Sequence, residues 1–345
     1  MKPTATGSND IYLPWTFGFA KFVGASALHT KLYQKVYGSV IQLSLVAGVI
    51  VWVITSRTFE SGKLQGFIYG TAHLLTTLTS VVCAVFTWKN HELVKQSIAL
   101  LGNLEQLPTT RSDVNVCLYG IATFLIQLGV DSLLDRTLNL MSHLENFVYY
   151  MPLLINICVT NQFVVLVKQS AYRLDHLIGK LKFGDFHPYS IIVEYNIIRE
   201  ACVFINDAYS VQNAWCIFRH SIIFTSSTYY IGLSGSRLFP AGSNTRILIL
   251  SSVSALSLFS YIVMIFKCCE DIQRKYKLFK NRFYDKLSTD PRHSVLFASR
   301  PIYKSIKFSA AGVFDLDMKT LNTTVLSMIS YVVIMLQFAV STTDI

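Results

Sequence analysis

Charge is scarce in this chain of 345 residues: Asp, Glu, Lys and Arg make up 14% of it, against about 25% in ordinary soluble domains. With 52% apolar and 13% aromatic residues, the scarcity argues against a soluble domain, and hydropathy overrides the domain count that length alone suggests. Glycine-rich phosphate loops, nucleophile elbows and histidines at zinc spacing are missing, so the sequence points to no enzyme, no metal and no cofactor. A cleavable signal peptide is also missing. The first apolar run, residues 11–19, contains Pro14, precedes further basic residues and is followed by no small-residue cleavage site.

What the chain does have is seven stretches free of Lys, Arg, Asp and Glu: residues 36–56, 64–88, 114–130, 147–167, 220–236, 247–266 and 320–343. Most are long enough to cross a hydrocarbon core of about 30 Å as helices; the third and fifth are short, and their ends are the least defined. Basic residues divide unevenly between the segments that join them. Residues 1–35 and the 2-3, 4-5 and 6-7 loops hold 24 Lys and Arg, and the alternate set of loops holds five. The cytoplasmic side retains Lys and Arg, so the N-terminus is expected inside and the C-terminus outside. Arg219 sits at the mouth of the fifth span, where its long side chain can reach the interface. The net charge of +10 is thus accounted for by topology, with no need of nucleic acid as a partner. The lipid bilayer is the partner that composition requires.

This orientation is the reverse of a G-protein-coupled receptor. Asp135-Arg136 falls in the expected external 3-4 loop, and the last span has no proline. None of the seven cysteines (Cys83, Cys117, Cys158, Cys202, Cys216, Cys268 and Cys269) lies in an external loop, which leaves no extracellular disulfide to expect. Cys268-Cys269, at the inner end of span six, reads as a reduced pair or a palmitoylation site. Asn322-Thr323-Thr324 matches a glycosylation sequon on the inner side, where it should stay unused.

The expected cytoplasmic segments carry helical periodicity. Leu174, Ile178 and Leu181 continue span four; Ile197, Ala201, Phe204 and Ala208 precede span five; Ile272, Tyr276, Phe279, Phe283 and Leu287 follow span six. Glu270/Arg274 and Asp271/Lys275 are i,i+4 pairs on the last of these, and His187-Pro188, Pro291 and Pro301 punctuate the helices. The organisation expected is all-α. It comprises a cytoplasmic segment over 1–35, six membrane helices with cytoplasmic extensions over 36–266, a helical cytoplasmic anchor over 267–319, and a last membrane helix with a short external tail over 320–345.

In that last helix Thr323, Ser327, Ser330, Ile334, Gln337 and Ser341 recur at steps of four and three, which places them on one stripe. A polar stripe on a membrane helix seeks another helix or water, so the helix packs in a bundle or lines a pore.

The segment 308–338 carries Ala310-Ala311-Gly312-Val313-Phe314, then Asp315-Leu316-Asp317, then Ser330-Tyr331, five apolar residues and Gln337-Phe338. It resembles the C-terminal end of insect gustatory receptors, whose signature is Thr-Tyr, five apolar residues and Gln-Phe. Ser330 keeps the hydroxyl of that Thr, and Tyr331, Gln337 and Phe338 match. The resemblance implies a homotetrameric or heterotetrameric, ligand-gated cation channel in the plasma membrane of taste sensory neurons. A cytoplasmic anchor would hold the tetramer, the last helix would line the pore, and no G protein would be obligatory. It points to Gln337 and Phe338 as the gate, with Ile334 able to close the path by excluding water. Gln337 equally suits a hydrogen bond to a neighbouring helix, and Thr323, Ser327 and Ser330 suit close helix approach. Tyr331, off the stripe, reads as a packing or interhelical residue. Asp344 and the terminal carboxylate would add negative charge at the outer mouth.

The same resemblance implies a pocket for a small-molecule tastant among spans two to six, opening outward. The side chains on offer are Tyr69, His73, Gln127, Tyr149, Tyr150, Asn156, Tyr229, Tyr230, Ser251 and Ser254. Aromatic walls with a few polar groups suit an amphipathic molecule, and the tyrosines also suit an interfacial belt. Sugar-sensing members of the family have Glu after the Tyr of the signature, whereas this chain has Val332, which argues for bitter or plant-derived compounds. A metabotropic receptor or a secondary transporter is the alternative; the first needs the opposite orientation, the second intramembrane charge or broken helices.

Overall fold

The computed structural model describes residues 16–18, 20, 32–55, 64–102, 104, 111–134, 140–183, 187–235, 244–289 and 305–341. Helices take up most of them: α1 (Leu32–Thr55), α2 (Leu64–Lys89), α3 (His91–Gly102), α4 (Arg111–Leu134), α5 (Leu140–Phe183), α6 (Pro188–Gly235), α7 (Asn244–Thr289) and α8 (Met318–Ser341). A two-stranded hairpin, β1 (Ser309–Ala310) and β2 (Phe314–Asp315), precedes α8. All but α3 are transmembrane helices, and each of the seven charge-poor stretches lies within one of them apart from its last one or two residues in spans one, five and seven. The short third and fifth stretches belong to helices of 24 and 48 residues, because charged residues end the apolar run without ending the helix.

Among the described residues, α2, α5, α7 and α8 are each long and apolar enough to cross a membrane unaided, and α1 and α4 carry shorter apolar stretches (Val36–Gly48 and Val114–Val130). Successive long helices run in opposite directions. α5, α6 and α7, at 44, 48 and 46 residues, are about 66–72 Å long, roughly twice the hydrocarbon thickness, and at one end of the bundle they project beyond the other helices. We call this the extended end and the opposite one the open end.

At the extended end the core-facing residues of α7 are those that the periodicity predicts: Ile272, Tyr276, Phe279, Phe283 and Leu287 are all buried. Tyr195 of α6 stacks on Phe279 at 5.0 Å between ring centroids and on Tyr276 at 5.8 Å. On α6 the inward face is rotated by one residue from expectation. Ile198 and Ile205 are buried and Ile197 and Phe204 only half-buried, although Ala201 and Ala208 point inward as expected.

Ion pairs line the edge of this region. Lys275 Nζ lies 2.6 Å from Asp175 of α5 and 2.9 Å from Asp271, and Lys180 of α5 reaches Glu194 of α6 at 3.1 Å. Partial burial alone would lower the Lys275 ammonium, but the two carboxylates outweigh it and hold it above its ordinary value. Arg274 pairs with Asp271 at 2.8 Å rather than with Glu270, whose carboxylate turns instead toward the start of α8. Pro188 opens α6, where a missing N–H costs nothing; Pro291 and Pro301 lie outside the described residues.

Two elements have no counterpart in the sequence expectations. One is α3, an amphipathic helix that buries Val94, Ser97 and Leu101 against α6 and α5, its corner with α2 fastened by Asn90 Nδ2 donating to the Ala208 carbonyl at 2.9 Å. The other is the hairpin, whose Val313 N–H closes on the Ala310 carbonyl at 2.9 Å. Its two central residues, Ala311 (φ 52°) and Gly312 (φ 71°), both have positive φ, as a type I′ turn requires.

Candidate functional site

α8 begins with a cap. Asp317 Oδ1 accepts the Thr320 N–H at 2.8 Å, and this bond holds the Asp317 carboxyl below its ordinary range. Leu321, Met328 and Val332 then turn inward, at steps of seven and four, and are buried against α6 and α7. The opposite side of the helix carries the polar stripe. Thr323, Ser327, Ser330, Ile334 and Gln337 are all exposed on the chain, flanked by Leu326, Tyr331 and Phe338 at 65%, 64% and 68% exposure. Tyr331 therefore does not pack within its own chain, because it lies on the flank of the stripe and away from the α6–α7 seat. Among the described residues the three hydroxyls bond no other helix either. Thr323, Ser327 and Ser330 donate to the carbonyl four residues back, at 3.1, 3.0 and 3.0 Å, so each oxygen turns lone pairs outward. The side chain of Ser341, and Asp344, lie outside the described residues.

One residue of α6 sets how close α8 can come. A Cβ on Gly232 would sit 2.9 Å from a methyl of Leu336, so the backbones meet at a distance that any larger residue would widen.

The ligand-site expectations separate into two groups. Near the open end, between α4, α5 and α7, Gln127 Nε2 donates to Ser257 Oγ, Ser257 donates to the Ser254 carbonyl at 3.0 Å, and the Tyr150 hydroxyl reaches the Gln127 carbonyl at 3.4 Å. Tyr119 donates to Ser260 on the same α4–α7 seam, and Phe124 meets Tyr150 edge-on at 6.2 Å. Gln127, Tyr150 and Ser254 are thus one network, completed by Ser257, Ser260 and Tyr119. Sequence reasoning missed these three partners: a serine in an apolar helix looks like any small residue, although Ser254, Ser257 and Ser260/Tyr261 follow a three-residue step.

Deeper in the bundle, Asn156 belongs to a second group around Thr76, with His73 buried one turn earlier on α2. Asn156 Nδ2 donates to the Thr76 carbonyl at 3.3 Å, and Arg219 Nε donates to Thr76 Oγ1 at 3.0 Å. Arg219 is 1% exposed. The expectation that it snorkels to the interface is overturned, because α6 aims it inward, where α2 and α5 converge and Thr76 supplies an acceptor. His73 and His220 are buried beside this layer, and His220 Nδ1 donates to the Cys216 carbonyl. Cys216 and Cys83 meet across α6 and α2 at 3.7 Å. All seven cysteines are buried thiols, Cys268 and Cys269 included, so the second pair is closed to an acylating enzyme.

The remaining expectations scatter. Tyr229 is buried and Tyr230 half-buried on α6, their rings 5.9 Å apart, and Ser251 is half-buried on α7. Tyr69 and Tyr149 lie on α2 and α5, with side chains outside the described residues. A separate small cleft between α4 and α5, of about 10 Å³, is lined by Thr16, Cys117, Ile121, Ile157, Cys158 and Asn161. Its tight corner is Gly120, where a Cβ would come within 2.3 Å of Asn161 Nδ2.

Chemically, the first network offers an aromatic wall with an amide and hydroxyls, suited to a small molecule with one polar end. Beyond Lys319 in its first turn, the outward face of α8 offers oxygens and, among the described residues, no charge. The sequence model of the 7tm chemosensory receptor family matches residues 12–342. In structure the chain is similar to the insect olfactory receptor OR5 of Machilis hrabei in complex with eugenol, with a TM-score of 0.71, 14% identity, and 94% of this chain and 97% of that one covered. It is also similar to a second structure of OR5 of Machilis hrabei, with a TM-score of 0.66 at the same identity and coverage. No curated protein matches the sequence.

Proposed function

The chain belongs to the 7tm chemosensory receptor family, and on that premise we propose that it is a gustatory receptor: a tetrameric, ligand-gated, non-selective cation channel. The observation that carries this reading is the outward polar stripe of α8. A membrane helix that shows lipid a row of hydroxyls and an amide among its exposed apolar side chains leaves those polar groups unserved in a monomer. In a four-fold assembly the same stripe faces water on the common axis, with Gln337 and Phe338 toward the outer mouth and Asp344 beyond them. The charge bias supports a cytoplasmic extended end, so residues 267–319 belong to the anchor and α8 runs from inside to outside.

The tastant is taken between α4, α5 and α7, where Gln127, Tyr150 and Ser257 hold its polar end. The OR5 complex contains eugenol, a small aromatic molecule with one phenolic hydroxyl, and a ligand of that kind suits this network. The Ser330-Tyr331 to Gln337-Phe338 signature favours the gustatory branch, and Val332 favours bitter or plant-derived compounds over sugars. The receptor works in the plasma membrane of taste sensory neurons, alone or with sister subunits, and without an obligatory G protein.

Expression of the chain in a non-sensory cell tests this. A panel of bitter phenolics and sugars should yield a ligand-evoked cation current that persists when G-protein signalling is blocked. Current abolished by that block would sink the channel reading, and a response to sugars alone would overturn the assignment made from Val332.

A further inference from the structure

The root of α8 is bolted to α6 by two bonds of an unusual kind. Strand β1 turns its free edge toward the helix. Ser309 N–H donates to Asn206 Oδ1 at 2.8 Å, and Ala311 N–H donates to the Ser210 carbonyl at 3.0 Å. Two residues along a strand cover about 6.6 Å, and four along a helix about 6 Å, so the two amides meet acceptors one helical turn apart. The edge of the hairpin, which would otherwise present bare N–H groups, is satisfied by the side of a helix.

Strain lies beside these bonds. Ala311 has φ 52°, a left-handed conformation that a Cβ disfavours, and such an outlier persists only where its surroundings over-determine it. Here the surroundings are α6 and the packing of the hairpin's flank. Phe308, fully buried, meets Phe163 of α5 edge-on at 5.9 Å; Phe163 in turn packs on Tyr209 of α6 at 5.9 Å. From the hairpin only Leu316 and the cap residue Asp317 lead into α8, too short a link to absorb a displacement.

α6 therefore grips α8 at two places, the hairpin root at Asn206 and Ser210 and the close approach of Gly232 to Leu336. Between them Arg219 ties the same helix to α2 through Thr76. From residue 206 to residue 232 is about 39 Å of continuous helix. Resting on the reading of α8 as a ligand-gated pore helix, we propose that Asn206 is a positioning residue for gating: through Ser309 it sets the axial position of α8, so that a shift of α6 caused by ligand moves the pore helix with it.

Two measurements separate this inference from the reading beneath it. The first is hydrogen exchange on the purified full chain. The Ser309 amide should be protected in the wild type and exchange about five- to tenfold faster in Asn206→Leu, which keeps the volume and loses the acceptor. Asn206→Asp, which keeps an oxygen in place, should restore protection. A Ser309 amide as labile in the wild type as in Asn206→Leu would show that the fastening does not exist, whatever the chain conducts.

The second is patch-clamp recording. Asn206→Leu should shift the half-activating ligand concentration or the resting open probability by about five- to tenfold, with unitary conductance and reversal potential unchanged, and Asn206→Asp should behave as the wild type. Where Asn206→Leu does not reach the surface, Ser309→Pro removes the donor instead and should give the same shift. Gating unchanged in Asn206→Leu, or impaired equally by Leu and Asp, would overturn the proposal. A wild type with protected Ser309 and no ligand-evoked current would overturn the channel reading itself.

Discussion

α5 and α8 are both apolar enough to cross a membrane unaided, yet 94% of the apolar window of α5 is buried inside the chain against 17% of that of α8. Hydropathy ranks them together and the fold sets them apart. α5 is surrounded: α2, α4, α6 and α7 all pack on it, and Asn156 Nδ2, Gln162 Oε1 and Ser170 Oγ find partners in those neighbours or in its own backbone. α8 is seated on one side only, and its hydroxyls are bonded to its own turns. A buried helix can carry polar groups on several sides because neighbouring protein can bond them. An outlying helix with a polar stripe is unfinished without water or another copy.

The widest separation between the two helices should appear in stability. Phe163 is 0% exposed and touches Tyr209 and Phe308, so Phe163→Ala should cost about 3–5 kcal/mol. Leu326→Ala, on the exposed side of α8, should stay within about 0.5 kcal/mol. Thermal unfolding of the detergent-solubilised chain measures both. A loss in Leu326→Ala as large as that in Phe163→Ala would erase the contrast.

A sharper form of the comparison sets one hydroxyl against another. Thr76 Oγ1 accepts from a buried guanidinium on a different helix, whereas Ser327 Oγ is bonded only to its own helix. Thr76→Val keeps the shape and removes that acceptor from Arg219, which should cost about 1.5–3 kcal/mol. Ser327→Ala should cost far less, since a side chain bonded back to its own turn contributes little to a helix. Equal costs would mean that Arg219 draws its stability from elsewhere in the layer.

These residues also mark what a sequence can and cannot carry. The seven spans are legible because a membrane helix must exclude charge, and the inward face of α7 is legible because Ile272 to Leu287 repeats at the helical period over four turns. The stripe of α8 is legible for the same reason. Strands of two residues have no period to read, so the hairpin stayed hidden behind what looked only like a motif. Arg219 was misplaced because one arginine at the edge of an apolar run has the same signature whether it faces out or in. Its direction follows from the convergence of α2, α5 and α6, which is a tertiary fact. The same holds for Gln127, whose partner Ser257 lies 130 residues away.

The smallest effect on stability, and the one most specific to function, belongs to Gln337. Its amide is exposed on the side of α8 turned away from the bundle, so Gln337→Ala removes little buried surface and should leave unfolding within about 0.5 kcal/mol of wild type. In a four-fold pore the same change removes four amides that can each offer donor and acceptor to a partly hydrated cation. Reversal potentials under bi-ionic conditions should shift, or leak and block should change, with surface assembly unaltered. The alternative is that Gln337 bonds a helix of a neighbouring subunit. That use predicts the reverse pattern, a loss of tetramer on gel filtration with permeation intact in the channels that remain. The two patterns exclude each other because one amide cannot face the axis and the subunit seam at once, so this variant decides which side of α8 the water is on.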